Sequence, residues 1–202
     1  MAINRFLQSS VQSGLPKFDS VWDGRSAVGA MEPISAITLS AAQGTIEFNN
    51  IPGTYTHLQL RIFLRDSRNY GRNDIYMQVG NSTVDTGTNY SWHRLYGDGT
   101  SAASNAGSTQ NFMNIATLCA NTAPTNTFGT AIVDILDYSN TNKNKTIRTL
   151  AGGDNNNTAE PPYISLTSGN WRSSSAITII RLYDESGSNF MANSSFSLYG
   201  IK

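Results

Sequence analysis

The sequence contains little charge. Only 14% of its 202 residues are Asp, Glu, Lys or Arg, and the two signs cancel to a formal net charge of zero. Ordinary soluble domains carry about 25% charged residues. Proteins that bind nucleic acid need positive charge to compete for phosphates, so this composition argues against a nucleic-acid partner. Intrinsic disorder is excluded as well, because 39% of the residues are hydrophobic and the chain has no net charge.

Cysteine and histidine are scarce. Cys119 is the one cysteine, so no intrachain disulfide can form, and its apolar flanks favour a buried core residue over a reactive thiol. His57 and His93 are the two histidines, and together with one cysteine they make a poor set of zinc ligands. The loop at Asp154 offers oxygen ligands for Ca²⁺, but it lacks EF-hand spacing, so a solvated turn is favoured. With no nucleophile-elbow or phosphate-loop motif, we expect no metal, no cofactor and no enzymatic activity.

Long apolar runs are missing too. No segment approaches the ~18 consecutive apolar residues of a membrane span. The N-terminal residues also lack the apolar stretch of a secretory signal. We therefore expect no membrane partner, and a protein that stays in the cytoplasm where it is made or leaves it by a route other than secretion.

Hydroxyl and amide side chains take the place of charge. Ser, Thr and Asn supply 65 residues, and in many short segments polar residues alternate with aliphatic ones, as in half-buried β-strands. The clearest case is 57–64, where every second residue from Leu58 to Leu64 is aliphatic. Similar patterns predict strands over residues 37–39, 46–48, 75–79, 92–96, 146–150, 163–166, 176–183 and 195–201. The run 128–136 is rich in β-branched residues on both faces, which predicts a central strand. With Asn- and Gly-rich turns between them, these strands predict an all-β fold, a jelly-roll-like β-sandwich over residues 34–202.

Residues 1–33 differ from the rest and are expected to form an extended N-terminal arm. Large apolar residues occur there, first at helical spacing and then, after Gly14 and Pro16, without regular alternation. Such side chains need a partner surface, so the arm is predicted to make an attachment or oligomer contact. The residues expected to make this contact are Ile3, Phe6, Leu7, Val11, Phe18 and Trp22. The alternative is that the arm folds back onto its own domain.

Two acids near one predicted strand raise the question of a catalytic pair. Asp134 lies inside the apolar run 128–136, where a charged carboxylate needs a partner because an unpaired buried charge is costly. Its candidate partners are Arg61, Arg65 and Arg148. Strand alternation places Asp137 on the opposite face from Asp134, so a structural ion pair is favoured over a paired-carboxylate site.

Aromatic residues near turns offer a second kind of site. Trp92 and Trp171 are candidates for surface recognition, because exposed aromatic rings stack on sugars and mark binding surfaces. The alternative is that both rings close the ends of the core.

Several phrases of the sequence together resemble a widespread group of virion proteins of tailed bacteriophages, common among phages of aquatic bacteria and cyanobacteria. The phrases are TIEFNNIPGTYTHLQLR (45–61), NYSWHRL (89–95), ILDYSNTNKNKTIR (135–148) and SFSLYGIK (195–202). The resemblance covers roughly residues 44–202 and leaves out the arm. It implies a phage structural protein, located in the virion after assembly in the host cytoplasm, and it transfers no catalytic or binding residues.

From this resemblance and the site-poor sandwich we expect an accessory head decoration or cement protein. Its arm and sandwich would bind capsid subunits, and its own copies would form a homo-oligomer, with a trimer as the expected assembly. The alternative is a tail, neck, baseplate or fibre component that binds a host surface glycan. An enzyme acting on host polysaccharide is the least favoured reading.

Overall fold

The computed structural model describes residues 30–156 and 159–202, and every regular element in these two ranges is a β-strand. No helix with the length and apolar character of a membrane span occurs in them. The thirteen strands are β1 (Met31–Thr38), β2 (Thr45–Phe48), β3 (His57–Leu64), β4 (Arg72–Asn81), β5 (Thr83–Val84), β6 (Tyr90–Gly97), β7 (Ala102–Gln110), β8 (Met113–Cys119), β9 (Gly129–Leu136), β10 (Lys145–Gly152), β11 (Ile164–Trp171), β12 (Ile179–Asp184) and β13 (Ser195–Ile201).

Eight of the strands follow jelly-roll order in two antiparallel sheets. The large sheet contains the sequence of neighbours β1-β13-β3-β9, and the small sheet contains β2-β12-β4 with β8 paired to the far side of β4. When these eight strands alone are numbered from 1 to 8 along the chain, their order is 1-8-3-6 in the large sheet and 2-7-4-5 in the small sheet. This is the arrangement of two interlocked Greek keys. The all-β sandwich predicted from the sequence is confirmed.

The remaining strands are insertions, and most of them widen the large sheet. β10 and β11 follow β9 along the chain and continue the sheet beyond it, and β6 and β7 complete its edge. The large sheet therefore has eight strands, in the order β1-β13-β3-β9-β10-β11-β6-β7. β8 packs across β10 and β11, so all seven of its residues are buried.

The hydrophobic core lies between the sheets, as the alternation in the sequence predicts. Leu58, Leu60 and Val133 line the inner face of the large sheet, and they pack against side chains such as Ile46 and Met77 of the small one. Cys119 is also fully buried, which confirms its predicted place in the core. Burial of such side chains stabilises the fold by about 25 cal/mol for each Å² of apolar surface removed from water.

Two buried cations fix the loops around this core. Lys145 Nζ donates hydrogen bonds to the carbonyl oxygens of Asn140 and Lys143 at 2.6 and 2.7 Å, and to that of Ser174 at 3.1 Å. Burial lowers the pKa of this lysine. The guanidinium of Arg65 is likewise surrounded by backbone carbonyls of the loop at 121–127. Charged donors thus satisfy loop carbonyls that no strand partner can reach.

The predicted boundary between arm and sandwich, after residue 33, falls inside β1. This strand starts at Met31 and pairs with β13, with a bulge between Pro33 and Ser35 that accommodates the missing N–H of the proline. The six residues expected to make the arm contact, Ile3, Phe6, Leu7, Val11, Phe18 and Trp22, lie outside the described residues.

Candidate functional site

Four exposed aliphatic side chains form a continuous row across the outer face of the large sheet. Ile132 on β9 lies opposite Leu150 on β10, Leu150 lies opposite Leu166 on β11, and Leu166 lies opposite Leu95 on β6. Their exposed fractions are 42%, 59%, 51% and 60%. We call these four residues the aliphatic row. Neighbouring strands are about 4.8 Å apart, so the row is about 15 Å long.

The inner face behind the aliphatic row is polar. Thr149 on β10 and Thr167 on β11 face inward, lie opposite each other and are nearly inaccessible to solvent. Arg94 on β6 lies opposite Thr167 and is also buried. At these three positions the usual distribution is therefore inverted: two hydroxyls and a guanidinium are inside, and the neighbouring leucines are outside. Soluble proteins usually arrange their strands the other way, and contiguous exposed apolar surface marks interaction sites.

Arg94 is the centre of a hydrogen-bond network that holds this polar interior. Its Nη1 donates to Thr117 Oγ1 at 2.7 Å and lies 3.4 Å from Asp74 Oδ1, while its Nε donates to Asn105 Oδ1 at 2.7 Å. Asn114 Nδ2 donates to the other carboxylate oxygen of Asp74 at 2.6 Å. The buried charges of this interior therefore have partners, whereas the hydroxyls of Thr149 and Thr167 have none among the described residues.

A polar row lies beside the aliphatic row on the same face. Arg148 Nη2 and Gln59 Nε2 donate to the two carboxylate oxygens of Asp134, each at 2.9 Å. Partial burial disfavours the ionised carboxylate, but these two hydrogen bonds outweigh it and hold the pKa of Asp134 below its ordinary value. The predicted ion pair of Asp134 with an arginine is confirmed, and Arg148 is the partner.

The outer face of the small sheet carries a different surface, an open groove of about 890 Å³. Polar side chains from three adjacent strands line it: Glu47 on β2, Arg181 on β12 and Gln78 on β4. Arg181 lies opposite Glu47 on one side and opposite Gln78 on the other. We call this surface the groove.

The two tryptophans expected at a recognition surface are both covered. Trp171 is 3% exposed and its Nε1 donates to Asp85 Oδ2 at 2.8 Å, so the prediction that it is a surface residue is wrong. Trp92 is half-buried, and its indole ring lies against Gly107 of β7, where any larger residue would overlap with it. Trp171 thus closes the end of β11, as the alternative interpretation states, and the Nε1 of Trp92 is inaccessible to solvent.

One histidine lies beside an acid: His57 Nδ1 is 3.7 Å from Asp137 Oδ1. His57 Nδ1 accepts a hydrogen bond from the backbone N–H of Asp137 at 3.0 Å, and the Asp137 carboxylate pairs with Lys143 at 2.6 Å. His93 is exposed on β6. In the loop at 154, the Asp154 carboxylate accepts a hydrogen bond from the N–H of Asn156 at 2.9 Å. Within residues 30–156 and 159–202, no group of three or more His, Cys, Asp or Glu side chains has a geometry suited to a metal ion.

Sequence reasoning did not single out the aliphatic row or the groove. The alternating pattern identifies the polar positions of β2, β4 and β12, but their register across the sheet is a property of long-range pairing. Only the pairing brings Glu47, Arg181 and Gln78 into one line.

Comparison with known proteins identifies no family for this chain. No protein-family model matches the chain, and no curated protein matches it. Among solved structures, a mutant of the alginate lyase Aly36B in complex with an alginate trisaccharide aligns with a TM-score of 0.27 and 10% identity, over 89% of this chain and 92% of the lyase chain. A likeness at this level has no bearing on function.

Proposed function

We propose that this protein is a structural component of a tailed-phage virion, and that its role is that of an accessory head decoration or cement protein. Two features support the proposal: the resemblance of residues 44–202, and a jelly-roll sandwich that carries the aliphatic row on the outer face of its large sheet. No catalytic role is assigned to the chain, because a fold alone does not indicate a function. The tail, neck or baseplate location remains the second candidate.

The observation that carries this proposal is the aliphatic row with the polar interior behind it. Leu95, Leu150 and Leu166 would be more stable inside, so their place on the solvent side needs a partner that covers them. We assign that partner as a second copy of this chain. The outer face of the eight-stranded sheet measures roughly 900 Å², close to the ~800 Å² that each partner contributes to a standard interface.

The chain outside the described residues supplies a second contact in this proposal. The apolar side chains of the arm, among them Phe6 and Trp22, would bind the capsid lattice, while the large sheets of neighbouring copies associate with each other. Linked contacts of this kind raise the overall affinity far above that of either one alone. With closed three-fold symmetry, in which the large sheets of three copies meet around one axis, we expect a homotrimer on the particle.

The test is the copy number of the protein in purified virions, measured by quantitative mass spectrometry against the major capsid protein. A head decoration protein should be present at on the order of hundreds of copies, as an icosahedral lattice requires. About six to a few dozen copies would instead fit the rotational symmetry of a tail, neck or baseplate. Absence from the virion would overturn the proposal in both forms.

A further inference from the structure

We propose that the groove on the small sheet binds a neutral oligosaccharide. Its volume of about 890 Å³ lies within the roughly 300–1,000 Å³ of typical ligand sites. It lies on the face of the sandwich opposite to the aliphatic row, because the two surfaces are the outer faces of opposed sheets. Binding in the groove therefore does not compete with association through the large sheet.

The hydrogen-bonding groups of the groove are held in place. Arg181 Nε donates to Glu47 Oε1 at 2.6 Å, which orients the guanidinium across the strands. Its two terminal nitrogens have no hydrogen-bond partner in the described part of the chain, so they are available to a ligand. Gln78 is 5% exposed, and its Nε2 is fixed by the carbonyl oxygen of Asn111 at 2.8 Å. Donors and acceptors fixed in this way suit the hydroxyl groups of a sugar.

An aromatic ring lies beside these polar groups. Tyr183 lines the groove next to Arg181 on β12, two residues further along the same face. Its ring meets the ring of Tyr76 edge-on, with centroids 5.7 Å apart, and Tyr76 stacks on Phe112 at 3.8 Å. This packing fixes the ring before any ligand arrives. A rigid aromatic surface beside fixed hydrogen-bonding groups matches a sugar ring, which has an apolar face and a polar edge.

The charges of the groove favour a neutral ligand over an anionic one. The positive charge of Arg181 is offset by Glu47, and no second cation lines the groove in the described part of the chain. Phosphate groups and uronic acids need a net positive site. The groove has little aliphatic surface, which argues against an apolar peptide side chain as its occupant.

The experiment is calorimetric titration of the full-length protein with three neutral probes, cellotetraose, maltotetraose and mannotetraose, and with one anionic probe, a tetrauronate. At least one neutral probe should bind. Arg181→Met and Tyr183→Ala should each weaken that binding by about tenfold or more, the effect of losing one charge-assisted hydrogen bond or one stacking contact. Thermal unfolding of each variant separates loss of the site from loss of the fold.

The matched control is Arg148→Met, because Arg148 also pairs with a carboxylate on the neighbouring strand but lies on the other sheet. It should bind the neutral probe like the unchanged protein. The proposal is overturned if none of the three neutral probes binds, or if the tetrauronate binds more tightly than they do. It is also overturned if Trp92→Ala abolishes binding while Arg181→Met, folded as before, leaves it unchanged.

Discussion

Asn73 Nδ2 donates a hydrogen bond of 2.9 Å to Asp66 Oδ1, and both side chains are buried. The same amide donates to Asp184 Oδ1 at 3.0 Å and so separates two carboxylates. Burial raises the pKa of Asp66 to about 6, although hydrogen bonds from the Arg68 N–H and from Asn73 oppose the shift. In the unfolded chain this carboxyl group has its ordinary pKa, near 3.8.

This difference predicts how stability changes with pH. Between pH 4 and pH 6 the folded protein holds a proton on Asp66 that the unfolded chain has lost, so the contribution of this group to stability is lost as the pH rises. A shift of this size corresponds to on the order of 2–3 kcal/mol. Asp66→Asn should lose this pH dependence. Urea unfolding of both proteins from pH 4.5 to pH 7.5 measures it, and equal slopes would contradict the prediction.

Arg65 should be among the most sensitive positions in the fold. Its buried guanidinium donates to the carbonyl oxygens of Asn121 and Ala123 at 2.9 and 2.7 Å, and to that of Pro124. Arg65→Met would remove the side-chain donor of the Asn121 and Ala123 carbonyls, whereas the Pro124 carbonyl keeps the Thr127 N–H, and it should lower the free energy of unfolding by about 3 kcal/mol or more.

The control for this prediction is Arg172→Met. Arg172 is exposed and donates to one carbonyl oxygen, that of Thr88, at 2.6 Å. Its loss should cost less than about 1 kcal/mol. Chemical denaturation measures both variants, and equal effects would show that the loop at 121–127 does not depend on the buried guanidinium.

Gly200 on β13 has no room for a side chain. A Cβ atom there would lie 2.3 Å from the ring of Tyr55, so Gly200→Ala should destabilise the protein by about 2 kcal/mol through overpacking. In a Tyr55→Ala background the same substitution should cost much less, because the ring is gone. A double-mutant cycle measures the difference. Gly152→Ala is the control, since its Cβ would only touch Ile164 at 3.6 Å.

The aliphatic row should control self-association without controlling the fold. The double variant Leu150→Thr, Leu166→Thr removes apolar surface that is already exposed, so its thermal stability should stay within about 1 kcal/mol of the original. Its mass by light scattering should fall toward the 21.9 kDa of a single chain. Leu150→Ile, Leu166→Ile keeps the apolar surface and should stay associated. An unchanged mass in the threonine variant would contradict this role of the row.

The sequence predicts the strands that carry a marked apolar pattern, and it misses others, β7 and β8 among them. β3 and residues 75–79 of β4 follow from strict alternation, because burial of every second side chain is what a two-layer sandwich requires, and β9 follows from its continuous apolar run. β7 has no large apolar residue and forms because it pairs with β6, while β8 is buried on both faces and lacks a period of two. Neither strand has a local signal for its structure.

Local pattern by itself determines that Leu150 and Thr149 point to opposite sides of β10, since alternation is a property of every strand. It does not determine which side is inside. By hydrophobicity alone the leucine would face inward; the tertiary structure instead packs β8 over the face of β10 that carries the threonine. The partner layer is contributed by residues far away in the chain. The aliphatic row and the groove are therefore consequences of long-range pairing, which no local pattern in this sequence could specify.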